Sequence, residues 1–227
     1  MALHVLPDLI QGSDEWLDQR RGIVTASVVG QLITPKTIKP AANDTSRALT
    51  ALLAAERITG WTDPVYVSDD MLRGTLDEPV ARAIYAEKVI APIPVTEVGF
   101  MVRDDWGFPI GYSPDGLVGD DGLIEVKSRR QKKHLADIVA DQVPLENLAQ
   151  IQCGLLVSGR QWCDYVSFCG GMPLWVKRVY PDERWFEAIV AAVTAFEETA
   201  AQMVATYQAA VEGLPATERT TLQEMTI

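Results

Sequence analysis

The stretch GYSPDGLVGDDGLIEVKS, residues 111–128, decides which fold the sequence predicts. The sequence LIEVK at 123–127 alternates apolar and charged side chains and therefore predicts a short β-strand. The GDDG sequence just before it is typical of a tight turn that joins two neighbouring strands. Alternation directs Glu125 and Lys127 to the same face of the strand. The turn can bring Asp115 beside both of them.

Helices and further strands are predicted on both sides of this stretch. Apolar side chains at helical spacing, with capping residues and glycines at the ends, predict helices at residues 27–33 after Thr25, 46–59, 69–88 after Ser68, 145–156, and over about thirty residues after Asp182. Apolar runs between turn signals predict strands at 95–102, 109–112, 163–169 and 174–180. This order predicts an α/β fold with a central mixed β-sheet flanked by helices and a long C-terminal helix.

Length and composition are those of an ordinary globular protein. The chain has 227 residues, of which 48% are hydrophobic and 22% charged, which excludes intrinsic disorder as the main state. We expect a single domain over residues 1–212 and a polar tail at 213–227. No apolar run approaches the roughly 18 residues of a membrane span, and we see no secretion signal. The three cysteines form no CxxC pair, so we expect free thiols in a reducing cytoplasm.

The net charge of −11 makes the chain a poor candidate for coating nucleic acid non-specifically. It does not exclude binding of nucleic acid in one local groove. Basic residues are concentrated at the predicted strand and directly after it, where contacts with phosphate groups give affinity without reading sequence. These residues are Lys127, Arg129, Arg130, Lys132 and Lys133. The alternative for Lys132 and Lys133 is that they are solvated and bind nothing.

Two carboxylates and one ammonium group that converge at one point have a definite chemistry. The oxygens of Asp115 and Glu125 suit Mg²⁺, which usually keeps several waters and takes further ligands from phosphate. Lys127 can orient the attacking water or stabilise charge on the phosphate, which is the pattern of metal-assisted phosphodiester hydrolysis. Glu78, on the helix before the sheet, is the candidate for a third carboxylate. The competing interpretation is structural, because Glu-x-Lys strands and Asp-Gly turns are common at protein surfaces.

Two further groups of polar residues suggest contacts with phosphate. Gln150 and Gln152 lie on the helix after the basic segment, and an amide can fix a phosphate or a water. Arg20, Thr25 and Ser27 lie next to a predicted helix N-terminus, where a guanidinium and hydroxyl groups make an anion site.

The histidine and cysteine content excludes other kinds of site. His4 and His134 are too few for a zinc site or a catalytic triad built on histidine. His134 falls in the polar, partly helical connection predicted at 129–145, where we expect it to be solvated. Three cysteines are one short of the four that hold an iron–sulfur cluster.

Five short motifs in a fixed order resemble those of one nuclease family. They are R-x-G-I-V-T-A-S at 20–27, G-x-x-x-E at 74–78, S-P-D-G at 113–116, E-V-K at 125–127 and Q-x-Q at 150–152. Together they resemble the phage lambda exonuclease and its relatives, the YqaJ-like viral recombinase nucleases of the PD-(D/E)xK superfamily. The resemblance covers about residues 11–180. It implies a restriction-endonuclease-like core within a single nuclease domain.

The resemblance also implies roles for individual residues. Asp115, Glu125 and the Val126 carbonyl would hold Mg²⁺, with Mn²⁺ as an alternative ion, and Lys127 would position or activate the water. Glu78 would assist at the metal or the water, and either Gln150 or Gln152 would line the active centre. The residues that match the family's 5′-phosphate site are Arg20, Thr25, Ser27 and Ser113.

The activity that the resemblance implies is degradation of one strand of linear duplex DNA from its 5′ end. The remaining 3′ overhang serves phage homologous recombination. The implied partners are DNA ends, a phage single-strand annealing protein and identical subunits in a ring-shaped trimer, in the cytoplasm of a bacterial host. Two alternatives stay open: a structure-specific or restriction-type endonuclease of the same fold, and a non-catalytic DNA-binding subunit.

Overall fold

The computed structural model describes residues 2–64 and 66–219. Its elements in chain order are β1 (Leu3–Leu6), α1 (Asp14–Arg20), β2 (Val24–Thr25), α2 (Ala26–Val29), β3 (Ile33–Thr34), β4 (Lys39–Pro40), α3 (Asp44–Thr59), α4 (Asp69–Lys88), β5 (Val95–Thr96), β6 (Phe100–Arg103), β7 (Ile110–Tyr112), β8 (Gly116–Val118), β9 (Gly122–Ser128), α5 (Gln131–Ala140), α6 (Leu145–Ser158), β10 (Trp162–Phe168), β11 (Trp175–Val179) and α7 (Glu183–Ala210).

The central sheet has five strands in the order β11-β10-β9-β8-β5. The pair β9 and β10 is parallel, and the other neighbours are antiparallel. Parallel pairing needs a crossover connection, which α5 and α6 provide between β9 and β10. This mixed sheet, the flanking helices and the long α7 confirm the predicted fold class.

A second sheet has four strands in the order β1-β6-β7-β2. It places the strand β2, which leads into α2, parallel to β7. Strand β7 ends at Tyr112, only three residues before Asp115. The two sheets are therefore joined by the short segment that carries the predicted carboxylate. A two-stranded ribbon, β3 and β4, completes the strands of the described residues.

Hydrophobic side chains cover both faces of the central sheet, because its strands alternate inward-facing residues on each side. On one face Leu123 and Tyr165 belong to the main core, which also takes in side chains of α3, α6 and α7. On the other face Ile124 and Val126 pack with Tyr85 of α4 in a smaller cluster. Strand β9 therefore lies between α6 and α4, and both helices can contribute side chains to its exposed end.

Helix α7 is long and apolar enough, by length and composition alone, to cross a membrane; no other helix of the described residues is. Its inner side chains Trp185, Ile189, Val193 and Phe196 are buried in the main core, and it packs against α3 and α6. In this fold α7 is therefore a core helix. It ends two residues before the predicted domain boundary at 212, and residues 220–227 of the predicted tail lie outside the described residues.

Several local predictions differ from the structure. The segment predicted as one helix at 27–33 is the four-residue α2 followed by a 3-10 turn. Thr25 precedes α2 but makes no capping hydrogen bond with its side chain. The prediction for His134 is wrong: it lies on α5 and is fully buried, with Nδ1 2.8 Å from Ser167 Oγ and Nε2 2.9 Å from the Pro173 carbonyl. The tertiary contacts with β10 stabilise α5 and bury its histidine.

All three cysteines are buried as free thiols. Burial raises the pKa of Cys153 and of Cys163 above the ordinary thiol value. Both thiols therefore stay protonated in the core. They are unreactive there, since the reactive form of cysteine is the thiolate.

Candidate active site

Strand pairing places the two predicted carboxylates opposite each other. Strands β8 and β9 pair Gly116 with Ile124, Leu117 with Leu123 and Val118 with Gly122. One step further along the same register, Asp115 stands opposite Glu125. Main-chain pairing of β8 with β9 ends there. Beyond it the Asp115 side chain bonds to β9 instead: its Oδ2 accepts a hydrogen bond of 2.7 Å from the Val126 N–H. The Asp115 carboxylate is thus fixed against the open edge of β9.

Glu125 and Lys127 share one face of β9, as alternation predicts. Lys127 Nζ lies 2.7 Å from Glu125 Oε1 and 3.1 Å from Gln150 Oε1. Gln150 Nε2 donates to the same Glu125 oxygen at 2.5 Å. Gln150 of α6 therefore bridges the carboxylate and the ammonium group, and it lines the site.

The Glu125 carboxylate has one oxygen that the protein leaves without a partner. The side chain is only 1% exposed, and Oε2 is buried with no hydrogen-bond partner among the described residues. Such a group costs free energy unless something binds it. A divalent cation is a suitable partner for this oxygen, because carboxylate oxygens are the ligands that Mg²⁺ prefers.

A main-chain oxygen is available as a further ligand. In an extended strand the N–H and C=O of one residue point to the same side. Because the Val126 N–H points to Asp115, the Val126 carbonyl faces the same open edge. Among the described residues no three side chains of His, Cys, Asp or Glu form a metal cluster by themselves. The donor set here is two carboxylates and one carbonyl, which leaves room for water and phosphate.

The electrostatics of the site favour a bound cation. Burial raises the pKa of Asp115 well above its ordinary value, and the negative charges of Glu125 and Glu78 raise it further, against the opposing effects of Lys127 and the Val126 N–H. Burial lowers the pKa of Lys127, but the charges of Glu125 and Asp115 outweigh it, so that the net pKa is raised. The site thus holds more negative charge than Lys127 balances, and Lys127 stays protonated.

Glu78 reaches the site from α4 together with an arginine that sequence reasoning missed. Arg82 Nη1 donates to Glu78 Oε1 at 2.9 Å and also to the main-chain carbonyl of Asp115. Its Nη2 lies 2.9 Å from Glu97 Oε2. Arg82 therefore ties the helix that carries Glu78 to the turn that carries Asp115. The spacing of four residues from Glu78, one helical turn, was the signal that could have identified it.

Gln152 does not reach this cluster. It is buried on α6 with Nε2 donating to the Tyr180 carbonyl at 2.8 Å and Oε1 accepting from the Asp182 N–H at 3.0 Å. Two residues along a helix point about 200° apart, so Gln150 and Gln152 cannot serve one site. Gln152 instead satisfies the main chain where β11 leads into α7, and its predicted role in the active centre does not agree with this geometry.

The predicted phosphate-binding residues come together in a second cluster. Arg20 Nη2 lies 3.1 Å from Ser27 Oγ and 3.3 Å from Thr25 Oγ1, and the two hydroxyl groups are 3.1 Å apart. The Arg20 guanidinium also stacks over the Trp16 ring at 3.9 Å. Trp16 Nε1 donates to Ser113 Oγ at 2.9 Å, which joins this cluster to the segment that carries Asp115. Trp16 was also missed by sequence reasoning.

Arg20 is well suited to bind an anion. Burial lowers its pKa to about 10, and the negative charge of Glu56 offsets part of that effect. Among the described residues its guanidinium contacts hydroxyl groups and an aromatic ring but forms no ion pair within 4.0 Å. A partly desolvated cation that lacks a carboxylate partner is stabilised by an incoming phosphate.

Most of the predicted basic cluster is paired within the protein. Arg129 is largely buried, and its Nη2 donates to Tyr165 Oη at 2.7 Å and to Asn147 Oδ1 at 2.6 Å. Arg130 lies 2.8 Å from Asp70, and Lys133 pairs with Glu146. Lys132 is exposed. Arg129 therefore stabilises the packing of α5 and α6 on β10, and its predicted contact with DNA does not agree with this position.

A cavity of about 740 Å³ adjoins both clusters. Trp16, Glu78, Arg82 and Pro114 are among the residues that line it. Pro114, which lines it, stands in the chain between Ser113 and Asp115. The arrangement places two carboxylates, a fixed ammonium group and the Arg20 cluster of guanidinium and hydroxyl groups near one cavity.

A sequence model of the YqaJ-like viral recombinase domain matches residues 15–161, which is more than half of the chain. The chain belongs to the YqaJ-like viral recombinase family. The matched range includes both clusters, from Trp16 to Gln150. A search of curated proteins gives no match.

Solved structures similar to this YqaJ-like chain have the same overall fold. The alkaline exonuclease LHK-Exo from Laribacter hongkongensis is 31% identical with a TM-score of 0.78, and the match covers 89% of this chain and 100% of that one. LHK-Exo in complex with dAMP gives the same TM-score at 32% identity, with the same coverage. A phage-related exonuclease from Haemophilus somnus 129PT is 14% identical with a TM-score of 0.64, covering 82% of this chain and 96% of that one; this likeness concerns the fold alone.

Proposed function

We propose that this chain is a Mg²⁺-dependent exonuclease that degrades one strand of linear duplex DNA in the 5′→3′ direction. The 3′ overhang that remains would serve phage homologous recombination. Membership of the YqaJ-like family and the likeness to an alkaline exonuclease support a DNA exonuclease. The observation that carries the metal dependence is the buried, unpartnered Glu125 Oε2 in the same site as the Asp115 carboxylate.

Each residue of the site has a definite task in this proposal. Asp115, Glu125 and the Val126 carbonyl hold the cation, which supplies Lewis-acid activation of the phosphate and a more acidic bound water. Gln150 keeps Glu125 and Lys127 in a fixed relative position. Lys127, held protonated by its carboxylate neighbours, donates hydrogen bonds to the water or to a phosphate oxygen. Glu78, restrained by Arg82, accepts a proton or a hydrogen bond from the water.

The second cluster supports the proposed direction of degradation. Arg20, Thr25 and Ser27 form an anion site with hydroxyl donors and a guanidinium without a carboxylate partner. Ser113 lies between this cluster and Asp115, because it bonds to Trp16 and precedes Asp115 by two residues. A terminal 5′-phosphate bound there places the next phosphodiester bond towards the metal site. Recognition of a terminal phosphate has no use in cutting internal bonds.

The test is digestion of linear duplex DNA labelled at each end, with a 5′-phosphate or a 5′-hydroxyl, in Mg²⁺. A closed circle and an Asp115→Ala variant run in parallel. We expect early loss of the 5′ label, faster with the phosphate, and no reaction with the circle or the variant. Cutting of the circle would instead identify an endonuclease, and the absence of Mg²⁺-dependent cutting would leave a DNA-binding subunit.

We further propose that the enzyme acts as a ring of identical subunits, with a phage single-strand annealing protein as the partner that receives the overhang. Self-association is supported by apolar side chains on the outward face of α4. They recur every four residues and are 36–64% exposed: Leu72, Leu76, Val80 and Ile84. Contiguous exposed apolar surface of this kind is typical of protein contact sites.

A further inference from the structure

Gly22 lies in the turn between the residues of the phosphate-binding cluster, and helix α3 holds both of its main-chain polar groups. Glu56 Oε2 accepts from the Gly22 N–H at 2.8 Å. Arg57 Nε donates to the Gly22 carbonyl at 2.6 Å. Two adjacent side chains of α3 thus hydrogen-bond to the N–H and the carbonyl of the same residue. The turn is fixed to α3 by a pair of charge-assisted hydrogen bonds.

The backbone at Gly22 requires glycine. Its φ is +69°, a left-handed conformation that other residues rarely adopt. A Cβ added there would lie 2.5 Å from Arg57 Cγ. The left-handed turn lets the chain reverse direction after α1, so that Arg20 at the helix end meets Thr25 and Ser27 beyond the turn. The close contact with Arg57 leaves the turn little room to move.

Arg57 is itself held in place by the C-terminal helix. Its Nη1 and Nη2 donate to the two carboxylate oxygens of Glu197 on α7, each at 2.7 Å. The guanidinium also lies 5.1 Å from the centre of the Phe196 ring. The Arg57 and Glu197 side chains are 28% and 22% exposed, so solvent screens this pair less than an open surface pair. All three guanidinium nitrogens are therefore in use, and lysine cannot reproduce this fork.

We propose that Arg57, supported by Glu197, is a positioning residue for binding of the terminal 5′-phosphate. It holds the Gly22 turn at the angle that brings the Arg20 guanidinium to the two hydroxyl groups. The inference rests on the proposed function, because it takes the Arg20 cluster to be the phosphate site. It adds a contact with α7, far along the chain from the cluster itself.

The test measures binding rather than hydrolysis. Fluorescence anisotropy in Ca²⁺ gives the affinity of wild type and Arg57→Met for duplex ends that carry a 5′-phosphate or a 5′-hydroxyl. Methionine keeps an unbranched apolar stem against Gly22 but removes all three donors. We expect the preference for phosphate to fall by roughly ten- to a hundredfold, because losing one hydrogen bond to a charged group has about that effect on affinity. Affinity for the hydroxyl end should stay within about twofold, since Arg57 itself contacts no DNA.

Two further variants and a matched control keep the result interpretable. Arg57→Lys should not restore the preference, because an ammonium group cannot bond Gly22 and both Glu197 oxygens together. Glu197→Gln, at a partly buried side chain of α7, should give a smaller loss in the same direction. This variant replaces Arg57→Met as the test if Arg57→Met does not fold. Lys177→Met breaks another ion pair, with Asp141 at 2.8 Å, and should leave the preference unchanged.

The inference is overturned if Arg57→Met and Glu197→Gln both keep the phosphate preference of wild type. It is also overturned if wild type has no preference, or if Arg57→Met weakens binding of both ends equally, which would indicate a purely structural role. A wild type without preference would also count against the Arg20 cluster as the phosphate site. The outcomes for the variants are separate from failure of the proposed exonuclease activity, because binding is measured without hydrolysis. That failure would be an absence of Mg²⁺-dependent digestion by wild-type protein.

Discussion

Asp115 is partly buried beside two negative neighbours, which is unfavourable unless a cation is bound. We expect Asp115→Asn to lower the rate of Mg²⁺-dependent hydrolysis by at least about a hundredfold, since even outer-shell partners of a metal typically cost ten- to a hundredfold. Asparagine can still accept the Val126 N–H, so the fold should persist. Rates on 5′-labelled duplex measure the effect, and circular dichroism checks folding. Near-normal activity in a folded variant would remove Asp115 from the metal site.

The raised pKa of Asp115 also predicts how metal affinity depends on pH. A carboxyl whose folded pKa lies above its unfolded value stabilises the metal-free protein below the unfolded pKa, and this contribution is lost as pH rises through the folded pKa. Metal binding requires the ionised form, so Mg²⁺ affinity should rise with pH and binding should release a proton below the folded pKa. Calorimetry in buffers of different ionisation enthalpy detects the proton. Equal proton release by Asp115→Asn would contradict this assignment.

At the scale of one element, α6 carries two glutamines with opposite roles. Gln150 faces Glu125 and Lys127, whereas Gln152 bonds the main chain at Tyr180 and Asp182. We expect Gln150→Ala to lower the hydrolysis rate by about ten- to a hundredfold with little change in stability. Gln152→Ala should lower the free energy of unfolding by about 1–3 kcal/mol, because it leaves buried polar groups unpaired. Denaturant melts and initial rates on both variants decide this, and the reverse result would exchange the two assignments.

Two helices differ in how well the sequence predicted them. The helix expected at 69–88 has the predicted bounds and the predicted Ser68 cap, because capping and helical spacing are local signals. The helix expected at 27–33 breaks after four residues. There the Thr25 and Ser27 hydroxyl groups bond to Arg20, a contact across the Gly22 turn that no local pattern contains.

At the scale of the whole molecule, the outward face of α4 predicts self-association. We expect Leu76→Glu, at a side chain that is 64% exposed, to weaken association at least about tenfold, since about 1.4 kcal/mol has that effect and an unpaired charge costs more in an apolar contact. Light scattering after gel filtration measures the assembly. Val139→Glu on α5, at a side chain 76% exposed, is the matched control. A monomeric wild type, or equal dissociation by both variants, would rule out this face.

Local sequence patterns were enough to predict the fold class and the meeting of Asp115, Glu125 and Lys127 at one point. Alternation in LIEVK placed Glu125 and Lys127 on one face, and the turn before it returned Asp115 to the neighbouring strand. These predictions succeed because strand periodicity and turn geometry depend on residues close together in the chain. The order of five motifs then identified the family, which the match over residues 15–161 confirms.

Which polar side chains share a site depends on how distant segments pack against each other. Gln150 and Gln152 have the same chemistry, and only the packing of α6 on β9 separates them. His134 was expected to be solvated and Arg129 to contact DNA, but His134 is fully buried and the Arg129 side chain is only 14% exposed. Arg82 meets Asp115 across 33 residues of sequence, and Arg57 meets Glu197 across 140. Such pairs form because distant segments are packed into one core, and the pattern of any single segment does not encode them.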